Sequence, residues 1–507
     1  MKDEISPKQA LTLLVSLLVV ALCGIVYELI IGTISSYLLG DSVYQFSITI
    51  GLFMFSMGVG SYITKHLNNQ FIENFIAVET LIAIIGGISG IVLFMVFPFA
   101  RIFYELTMYG TIFAIGCLVG MEIPILTSLL ARQSSTKQTV ADVMSFDYLG
   151  ALIGSVAFPL LLLPSLGLLH SSFVIGLINA LVALTTLVVF RDFIPRFRIY
   201  LGVILIALAG LIAFNVYGMV LTRFAEKHLY FDQIIFSEQT AYQNLVLTRA
   251  QNHKDHRLFI DGSIQFSSRD EYRYHEFLVH PAMVVEGRRE RVLILGGGDG
   301  LALREVLKYD AVRQIDLVDI DPKMIELGKD LAILNRLNEN SLDDPRVTIH
   351  TEDAFSFLNR HGPTYDRVII DFPDPHNEAL SKLYSKEFYT IVRKRMNAGG
   401  VVVTQSSSPF FTRRAFWTIH TTLDAVFDQT LAFNVALPSF GIWGFNLATY
   451  GTSLPDAWSF SVPTRAIGTA SMAKAMVFNS DIDRLETPVN SLFLPKLYQF
   501  YSEDIRS

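Results

Sequence analysis

A glycine-rich turn and several acids are the residues of this chain best suited to chemistry. The turn Gly296–Gly300 reads Gly-Gly-Gly-Asp-Gly and directly follows an apolar segment, Val292–Leu295. Such a turn lets a nucleotide approach the backbone, because glycine has no side chain to block it. Asp299 within the turn, and Asp371 and Asp374 further along, indicate that a cation is also bound. The sequence therefore predicts a nucleoside-binding site beside a cluster of acids.

Further acids follow the next strands of a predicted parallel, doubly wound sheet, in which ligands bind at the carboxyl ends of strands. Strands are predicted at 291–295, 314–319, 346–350, 366–371 and 400–404, with helical stretches between them. Asp319 ends the second strand and suits ribose hydroxyls, and Asp353-Ala354 follow the third and suit an adenine group. Each feature has a structural alternative, and Asp353 is also a candidate helix cap. Their order and spacing together favour a nucleoside site.

The second half of the chain resembles a known family. Residues 225–500 are similar to the spermidine synthase (polyamine aminopropyltransferase) family, and the whole chain resembles the membrane-fused bacterial branch of that family. The matching segments are Tyr242-Gln243, Asp261–Gln265, Asp270-Glu271, Tyr274–Glu276, Gly296–Gly300, Asp353-Ala354, Asp371–Pro375 and Phe478–Ile482. The resemblance implies a small β-hairpin domain at 223–288, followed at 289–507 by an α/β Rossmann-like, methyltransferase-type domain.

The resemblance also implies a reaction and a role for each matching residue. Decarboxylated S-adenosylmethionine would donate an aminopropyl group to an amine such as putrescine, and methylthioadenosine would be released. Asp371 would accept the proton of the amine. The donor would be held by Gln243, Gly296, Gly298, Asp319, Asp353 and Ala354. The amines would face Tyr274, His275, Asp299 and Asp374.

These residue types suit that chemistry. An aliphatic amine has a pKa of about 10, so it is protonated at neutral pH and is no nucleophile until it loses a proton. A nearby carboxylate can take that proton while the amine attacks the carbon next to the sulfonium. Neither a covalent enzyme intermediate nor a metal is required, and much of the catalysis would come from positioning two cationic substrates.

A methyltransferase that uses S-adenosylmethionine is the main enzymatic alternative, because it shares the core fold. Asp299 argues against it: the methyl donor carries a carboxylate near the glycine-rich turn, whereas the decarboxylated donor ends there in an ammonium. Two departures from the family leave the acceptor amine open, and a third alters the pocket wall. Phe440 stands where many members have a tyrosine, Gln405–Ser408 lack an acid of many soluble members, and Phe372-Pro373 replace a small polar pair.

The first part of the chain has the composition of a membrane protein. Of the 507 residues, 51% are hydrophobic and only 17% are charged, and the mean hydropathy is +0.42. A helix needs about 20 apolar residues to cross a bilayer. Seven spans are predicted on this basis, at 9–34, 43–64, 74–97, 102–131, 145–166, 169–190 and 199–222. A transmembrane helical domain is therefore expected at 1–222.

Four acids lie within these spans or at their edges: Glu28, Glu79, Glu122 and Asp147. Ionised groups at such depth are costly and usually face a partner or a wet cavity. Hydrogen bonds between helices explain them as well as a cation-binding site or a polar path does. The second functional hypothesis is therefore a membrane polyamine transporter or sensor, whose synthase-like domain binds without turnover.

The expected location is the cell (inner) membrane, with a polyamine and the lipid bilayer as partners. Basic residues such as Lys8, Lys65 and Arg191 place the N-terminus in the cytoplasm by the positive-inside rule. Seven crossings would then put the catalytic part outside, whereas its nucleotide chemistry favours the cytoplasmic side, which we expect. A net charge of −7 argues against nucleic acid. A homodimer is implied by the resemblance alone.

Overall fold

The computed structural model describes residues 6–39, 42–67, 70–131, 136–240, 242–251 and 254–506. The chain divides into two compact units, one that ends at Phe231 and one that begins at Asp232. The first unit is helical, and the second consists of two sheets with flanking helices. The sequence predicted the corresponding boundary at 222.

The described part of the first unit contains seven long helices. Their bounds are α1 Pro7–Leu39, α2 Ser42–Ile63, α3 Phe71–Phe99, α4 Arg101–Leu130, α5 Thr136–Ala157, α6 Leu163–Val189 and α7 Phe197–Leu229. Helix α1 packs against α2, α3, α4, α5 and α6, so it lies at the centre of the unit. Six helical segments of the described chain are long and apolar enough to cross a membrane.

One of those six segments, Lys137–Val189, is 53 residues long and runs through 145–166 and into 169–190, which were predicted as separate spans. It joins α5 to α6 through a π-helical stretch, Phe158–Leu162, without a polar loop. Gly167 interrupts the helical path, since its φ of 69° and ψ of −179° lie outside the helical range. The sequence did not predict the π-helical stretch, because all of its residues are apolar.

The chain nevertheless reverses direction between α5 and α6. Helix α5 runs parallel to α1, whereas α6 runs antiparallel to it. The contacts that set these directions are Gly150–Leu18 and Gly154–Leu22 for α5, and Ile175–Cys23 and Val189–Gln9 for α6. At about 1.5 Å per residue, a straight helix of this length would be more than twice the thickness of a bilayer core. Two passes in opposite directions fit that thickness.

A four-stranded antiparallel sheet begins the second unit. Its strands pair in chain order: β1 Gln233–Gln239, β2 Asn244–Arg249, β3 His256–Ile260 and β4 Ser263–Ser267. Asp261 and Gly262 join β3 to β4 with positive φ angles of 49° and 80°. A two-residue turn of this type matches the twist of the flanking strands. The predicted hairpin turn is therefore confirmed.

The main sheet has seven strands and is mixed, which corrects the prediction of a wholly parallel sheet. Its strands are β5 Arg291–Gly296, β6 Gln314–Asp319, β7 Val347–Thr351, β8 Tyr365–Asp371, β9 Met396–Gln405, β10 Gln429–Leu437 and β11 Gly441–Tyr450. They lie in the order β10-β11-β9-β8-β5-β6-β7. The five predicted strands, β5 to β9, are parallel. The hairpin of β10 and β11, which was not predicted, adds two antiparallel strands at one side.

The order of the main sheet reverses at β5, which pairs with β6 on one side and with β8 on the other. Residues of β5 alternate between two apolar clusters, with Val292 and Ile294 in one and Leu293 and Leu295 in the other. The strand is therefore buried on both faces, as its continuous apolar run predicts. A ligand site is expected at its carboxyl end, where the order switches.

Ten helices accompany the two sheets in the described part of the second unit. They are α8 Glu271–Val284, α9 Leu301–Leu307, α10 Pro322–Asp330, α11 Ala332–Leu337, α12 Ala354–Asn359, α13 Glu378–Ser381, α14 Lys386–Lys394, α15 Arg413–Asp424, α16 Thr469–Ala475 and α17 Leu497–Arg506. Helix α9 begins directly after the glycine-rich turn. Helix α8 packs against α9 and against β8 and β9, so its side chains reach the switch point.

Candidate active site

A cavity of about 400 Å³ lies at the carboxyl ends of β5, β6 and β8. That volume is within the range of small-molecule sites. Ten of the eleven predicted site residues line it: Gln243, Tyr274, His275, Gly296, Gly298, Asp299, Asp319, Asp353, Ala354 and Asp371. Asp374 is not among its lining residues. Residues from both sheets and from α8 therefore converge on one cavity.

Two glycines of the turn are required by close contacts with neighbouring strands. Gly296 has a φ of 82°, and a Cβ there would lie 2.2 Å from the carbonyl oxygen of Asp371. A Cβ on Gly298 would lie 2.7 Å from Oδ2 of Asp319. Any larger residue would displace one of these two acids. The turn therefore fixes the acids at the ends of β6 and β8 as well as leaving room for a ligand.

Asp319 is held by backbone donors at the end of β6. Its Oδ2 accepts from the N–H of Gly298 and its Oδ1 from the N–H of Asp321, each at 2.9 Å. Burial raises the pKa of Asp319 to about 6, although these two hydrogen bonds oppose the rise. Gln243 reaches the same strand end, where its Nε2 donates to Oδ2 of Asp321 at 3.0 Å.

Asp353 does cap a helix, the alternative that its sequence context allowed. Its Oδ1 accepts from the N–H of Ser356 at 2.9 Å, at the start of α12. Its Oδ2 lies 3.6 Å from Nζ of Lys382. Asp353 and the buried Ala354 line the cavity at the same time, so the capping role and a ligand-facing position coexist.

Asp371 ends β8 at the centre of the cavity wall. Its Oδ1 accepts a hydrogen bond of 2.6 Å from the hydroxyl of Tyr274, a buried residue of α8. Burial raises the pKa of Asp371 to about 6; the charge of His275 lowers it and that of Asp299 raises it. A carboxylate whose pKa lies this close to neutrality is suited to exchange a proton.

His275 is fixed by a charged pair, Glu271 and Arg304, to which the sequence analysis assigned no role. Its Nδ1–H donates to the carbonyl oxygen of Glu271 at 2.8 Å and to Oε2 of that residue at 3.0 Å. Arg304 of α9 binds both carboxylate oxygens of Glu271, at 3.0 and 2.9 Å. Burial lowers the pKa of His275, but Glu271 outweighs it and the pKa is raised. The imidazolium form is therefore favoured at the cavity wall.

The sequence could not have revealed the Glu271–Arg304 pair, because its partners lie 33 positions apart on different helices. Asp299 lines the cavity, and its Oδ1 accepts from the N–H of Leu301 at 2.9 Å. Burial raises the pKa of Asp299, and the charge of His275 opposes the rise. The glycine-rich turn thus presents a buried acid to the cavity, within electrostatic range of an imidazolium.

The chain matches the family model of the spermine/spermidine synthase domain over residues 271–456. A polyamine aminopropyltransferase of Leptospira interrogans is 40% identical over 494 residues, which cover 97% of this chain and 98% of that protein. The chain belongs to the polyamine aminopropyltransferase family. It is an aminopropyltransferase, and the resemblance inferred from its sequence is confirmed.

Further relatives extend this comparison. Polyamine aminopropyltransferase 1 of Streptomyces coelicolor is 41% identical over 505 residues, which cover 97% of this chain and 94% of that protein. A crystal structure of spermidine synthase from Thermotoga maritima is 25% identical, covers 49% of this chain and 85% of that chain, and gives a TM-score of 0.45.

Asp374, the second acid of the Asp371–Pro375 segment, is held by other residues of this aminopropyltransferase. Its Oδ1 accepts from the hydroxyl of Ser407 at 2.6 Å and from Nε2 of Gln405 at 3.4 Å. Its Oδ2 accepts from the hydroxyl of Tyr501, on α17, at 3.0 Å. Burial raises the pKa of Asp374, although these donors lower it. The Gln405–Ser408 segment, noted for lacking an acid, thus supplies donors to Asp374.

Phe440, the position at which many family members have a tyrosine, belongs to an aromatic group beside Asp371. Its ring centroid lies 6.5 Å from that of Tyr274 and 5.0 Å from that of Trp443. The ring centroid of Phe445 lies 5.3 Å from that of Tyr274. The hydroxyl nearest Asp371 therefore comes from Tyr274, which the aromatic group holds in place.

Proposed function

We propose that this chain is an integral-membrane aminopropyltransferase that uses decarboxylated S-adenosylmethionine as donor and an amine such as putrescine as acceptor. Methylthioadenosine is the second product. The observation that carries this proposal is the position of Asp371, which lines the same cavity as the glycine-rich turn. A base at that point stands next to the nucleoside part of the donor.

The charge of the cavity supports a cationic donor. Six carboxylates line it, from Asp261, Asp299, Asp319, Glu352, Asp353 and Asp371, against one lysine, Lys382, and the imidazolium of His275. A sulfonium that also carries a terminal ammonium has two positive charges, and this lining attracts both. The carboxylate of ordinary S-adenosylmethionine would instead be repelled by Asp299. The cavity therefore fits the decarboxylated donor better than the methyl donor.

The transfer forms one carbon–nitrogen bond and breaks one carbon–sulfur bond. The amine loses its proton to Asp371, and the nitrogen lone pair attacks the aminopropyl carbon bound to sulfur. The electrons of the broken bond stay on sulfur, which leaves as the neutral thioether of methylthioadenosine. Tyr274 orients Asp371 through its 2.6 Å hydrogen bond. Aligning two cations for this attack is the main task of the site.

The remaining predicted residues have supporting roles in this proposal. Asp319 accepts from ribose, Gln243 and Asp353-Ala354 surround the nucleoside, and the turn at Gly296 and Gly298 lets the donor approach the backbone. Asp299 and His275 set the charge around the amines. Asp374 accepts hydrogen bonds from Gln405, Ser407 and Tyr501. It does not line the cavity, and it attracts the amine by its negative charge. No resident cofactor or metal enters the reaction.

The helical unit supports a membrane location. Six segments of the described chain have the length and composition to span a bilayer, and exposed apolar side chains such as Met54, Phe55, Leu106 and Ile206 suit lipid contact. We propose that α1 to α7 lie in the cell membrane and that the catalytic unit faces the cytoplasm.

The test is product analysis with purified full-length protein. It is incubated with decarboxylated S-adenosylmethionine and a panel of amines, and mass spectrometry follows methylthioadenosine and the new polyamine. Asp371→Asn should reduce turnover by about 10²- to 10⁴-fold, the usual contribution of a general base. Asp310→Asn, at an exposed position, is the matched control. Failure to form methylthioadenosine with every amine, or methyl transfer from S-adenosylmethionine, would overturn the proposal.

A further inference from the structure

Glu79 and Glu122 form a buried carboxyl pair in the helical unit that the transfer reaction does not use. Glu79, on α3, is 0% exposed and Glu122, on α4, is 1% exposed. Their carboxyl groups lie within hydrogen-bonding distance of each other. Asn179, on α6, donates from Nδ2 to Oε2 of Glu79 at 3.2 Å. Three helices therefore meet at one polar cluster.

Three buried oxygens of this cluster lack a hydrogen-bond donor in the part of the chain that the structure describes. Among the described residues, none donates to three buried oxygens of the cluster: Oε1 of Glu79, Oε1 of Glu122 and Oδ1 of Asn179. All three atoms are acceptors, so a further acceptor would not satisfy them. A buried acceptor without a donor is costly. If one of the two carboxyl groups is protonated, its O–H group can donate a hydrogen bond to the other.

No basic side chain is at hand to neutralise the pair. The sequence has no lysine or arginine at 9–64, 66–100, 102–131 or 138–190, and these ranges hold most of α1 to α6. The ionisable groups that act on the pair from neighbouring helices are Cys23 and Tyr27 of α1 and Asp147 of α5. None brings a positive charge, so a cation that reduces the charge of the pair comes from outside the protein.

The helices near the pair approach one another closely. A Cβ on Gly176, one turn from Asn179, would lie 2.9 Å from the carbonyl oxygen of Ala83, one turn from Glu79. A Cβ on Gly120, two residues before Glu122 on α4, would lie 2.1 Å from the carbonyl oxygen of Met57 on α2. A proton is the cation that needs no further room.

We propose that Glu79 and Glu122 bind one exchangeable proton, which their carboxyl groups share. Two carboxyls in hydrogen-bond contact cannot both be ionised without strong repulsion, so the proton belongs to the pair. Its release leaves two negative charges among α3, α4 and α6. The packing of these helices therefore depends on proton occupancy, as in membrane proteins whose buried acids relay protons. This site is independent of the aminopropyl transfer.

Infrared difference spectroscopy of the full-length protein in lipid nanodiscs tests this proposal. The wild type should show the carbonyl stretch of a protonated carboxylic acid, and this band should be lost in Glu79→Gln and in Glu122→Gln. The glutamine amide donates to the remaining carboxylate, which then stays ionised. Glu105→Gln, at an exposed position of α4, should keep the band. An unchanged band in both pair variants would overturn the proposal.

Two further measurements need no variant. Raising the pH should remove the wild-type band in a single one-proton step, and the absence of any titrating band would refute the shared proton. Sodium chloride or propylamine, added at constant pH, should leave the band intact. Loss of the band on either addition would mean that the site exchanges its proton for that cation, which would overturn the assignment to a proton alone.

Discussion

Asp371 keeps a negative charge where its surroundings disfavour one. Burial raises the pKa of Asp371 to about 6, His275 lowers it by its positive charge, and Asp299 raises it. A base of this strength can take a proton at neutral pH and release it after the product has left. The neighbouring charges therefore set the pH range in which the base works.

The pH profile of kcat/KM should report this balance. We expect kcat/KM to fall about tenfold per pH unit below about pH 6, where Asp371 becomes protonated. His275→Gln should move this acid limb to higher pH, because it removes the positive charge that lowers the pKa of Asp371. An acid limb in the same place for wild type and variant would contradict this account.

Stability should change with pH in the opposite sense to activity. The folded-state pKa of Asp371 is raised above the unfolded value of about 3.9, so its stabilising contribution is present below about pH 4 and is lost as pH rises through about 6. Asp371→Asn should therefore melt at a higher temperature than wild type near pH 8, with the difference vanishing near pH 4. Thermal unfolding at both pH values checks this; a variant that is less stable at both would refute it.

At the scale of elements, helix α17 contributes the hydroxyl of Tyr501 to the site. Tyr501 donates to Oδ2 of Asp374 at 3.0 Å. Tyr501→Phe should raise the KM of the amine about fivefold, the equivalent of about 1 kcal/mol for a lost hydrogen bond, and leave the KM of the donor unchanged. Tyr498→Phe, on the same helix, is the control. Equal changes in both KM values would mean that α17 acts only on the fold.

The glycine-rich turn should tolerate no side chain at Gly298. A Cβ there lies 2.7 Å from Oδ2 of Asp319, so Gly298→Ala must displace the acid that we assign to the donor ribose. We expect kcat/KM for the donor to fall at least about tenfold, the effect of one lost charge-assisted hydrogen bond. Gly468→Ala is the control, since its nearest neighbouring atom is 4.0 Å away. Normal kinetics in Gly298→Ala would contradict the assignment.

Strands β5 to β9 were predictable because each is a short apolar run at ordinary βαβ spacing, and their ends identify Asp319 and Asp371. The hairpin of β10 and β11 was missed, although Leu431, Phe433, Val435 and Leu437 alternate with other residues as a half-buried strand does. The alternation is present in the sequence, but the hairpin falls outside the alternating strand–helix pattern from which the other strands were predicted.

Other features of the site depend on contacts that no local pattern encodes. Tyr501 lies 127 positions from Asp374, and Arg304 meets Glu271 only because α8 packs against α9. The hydrogen bonds to Asp374 are the clearest case, because the sequence identifies the acid but not the side chains that donate to its oxygens. Long-range packing decides which predicted residues line the cavity.

At the scale of the whole molecule, the number of membrane crossings conflicts with the charge of the loops. Helices α5 and α6 run in opposite directions, so the 53-residue segment counts as two passes and α1 to α7 give seven. With the N-terminus inside, as Lys8 and Lys65 indicate, seven passes leave the catalytic unit outside. The proposed nucleoside donor favours a catalytic unit inside, so either the N-terminal location or the number of passes must be wrong.

We expect the loop charges to be the misleading signal, although they favour an N-terminus inside, because the nucleoside chemistry of the proposed site favours the cytoplasmic side. A fluorescent protein fused after Ser507 should therefore fluoresce, and alkaline phosphatase fused there should be inactive. The same reporters at the N-terminus should give the reverse result. Both ends in the cytoplasm would instead mean that one helix does not cross the membrane. Helix α7 would be the first to examine, because only 17% of its apolar stretch is buried against the other helices. An active phosphatase after Ser507 would put the site outside and remove its supply of donor.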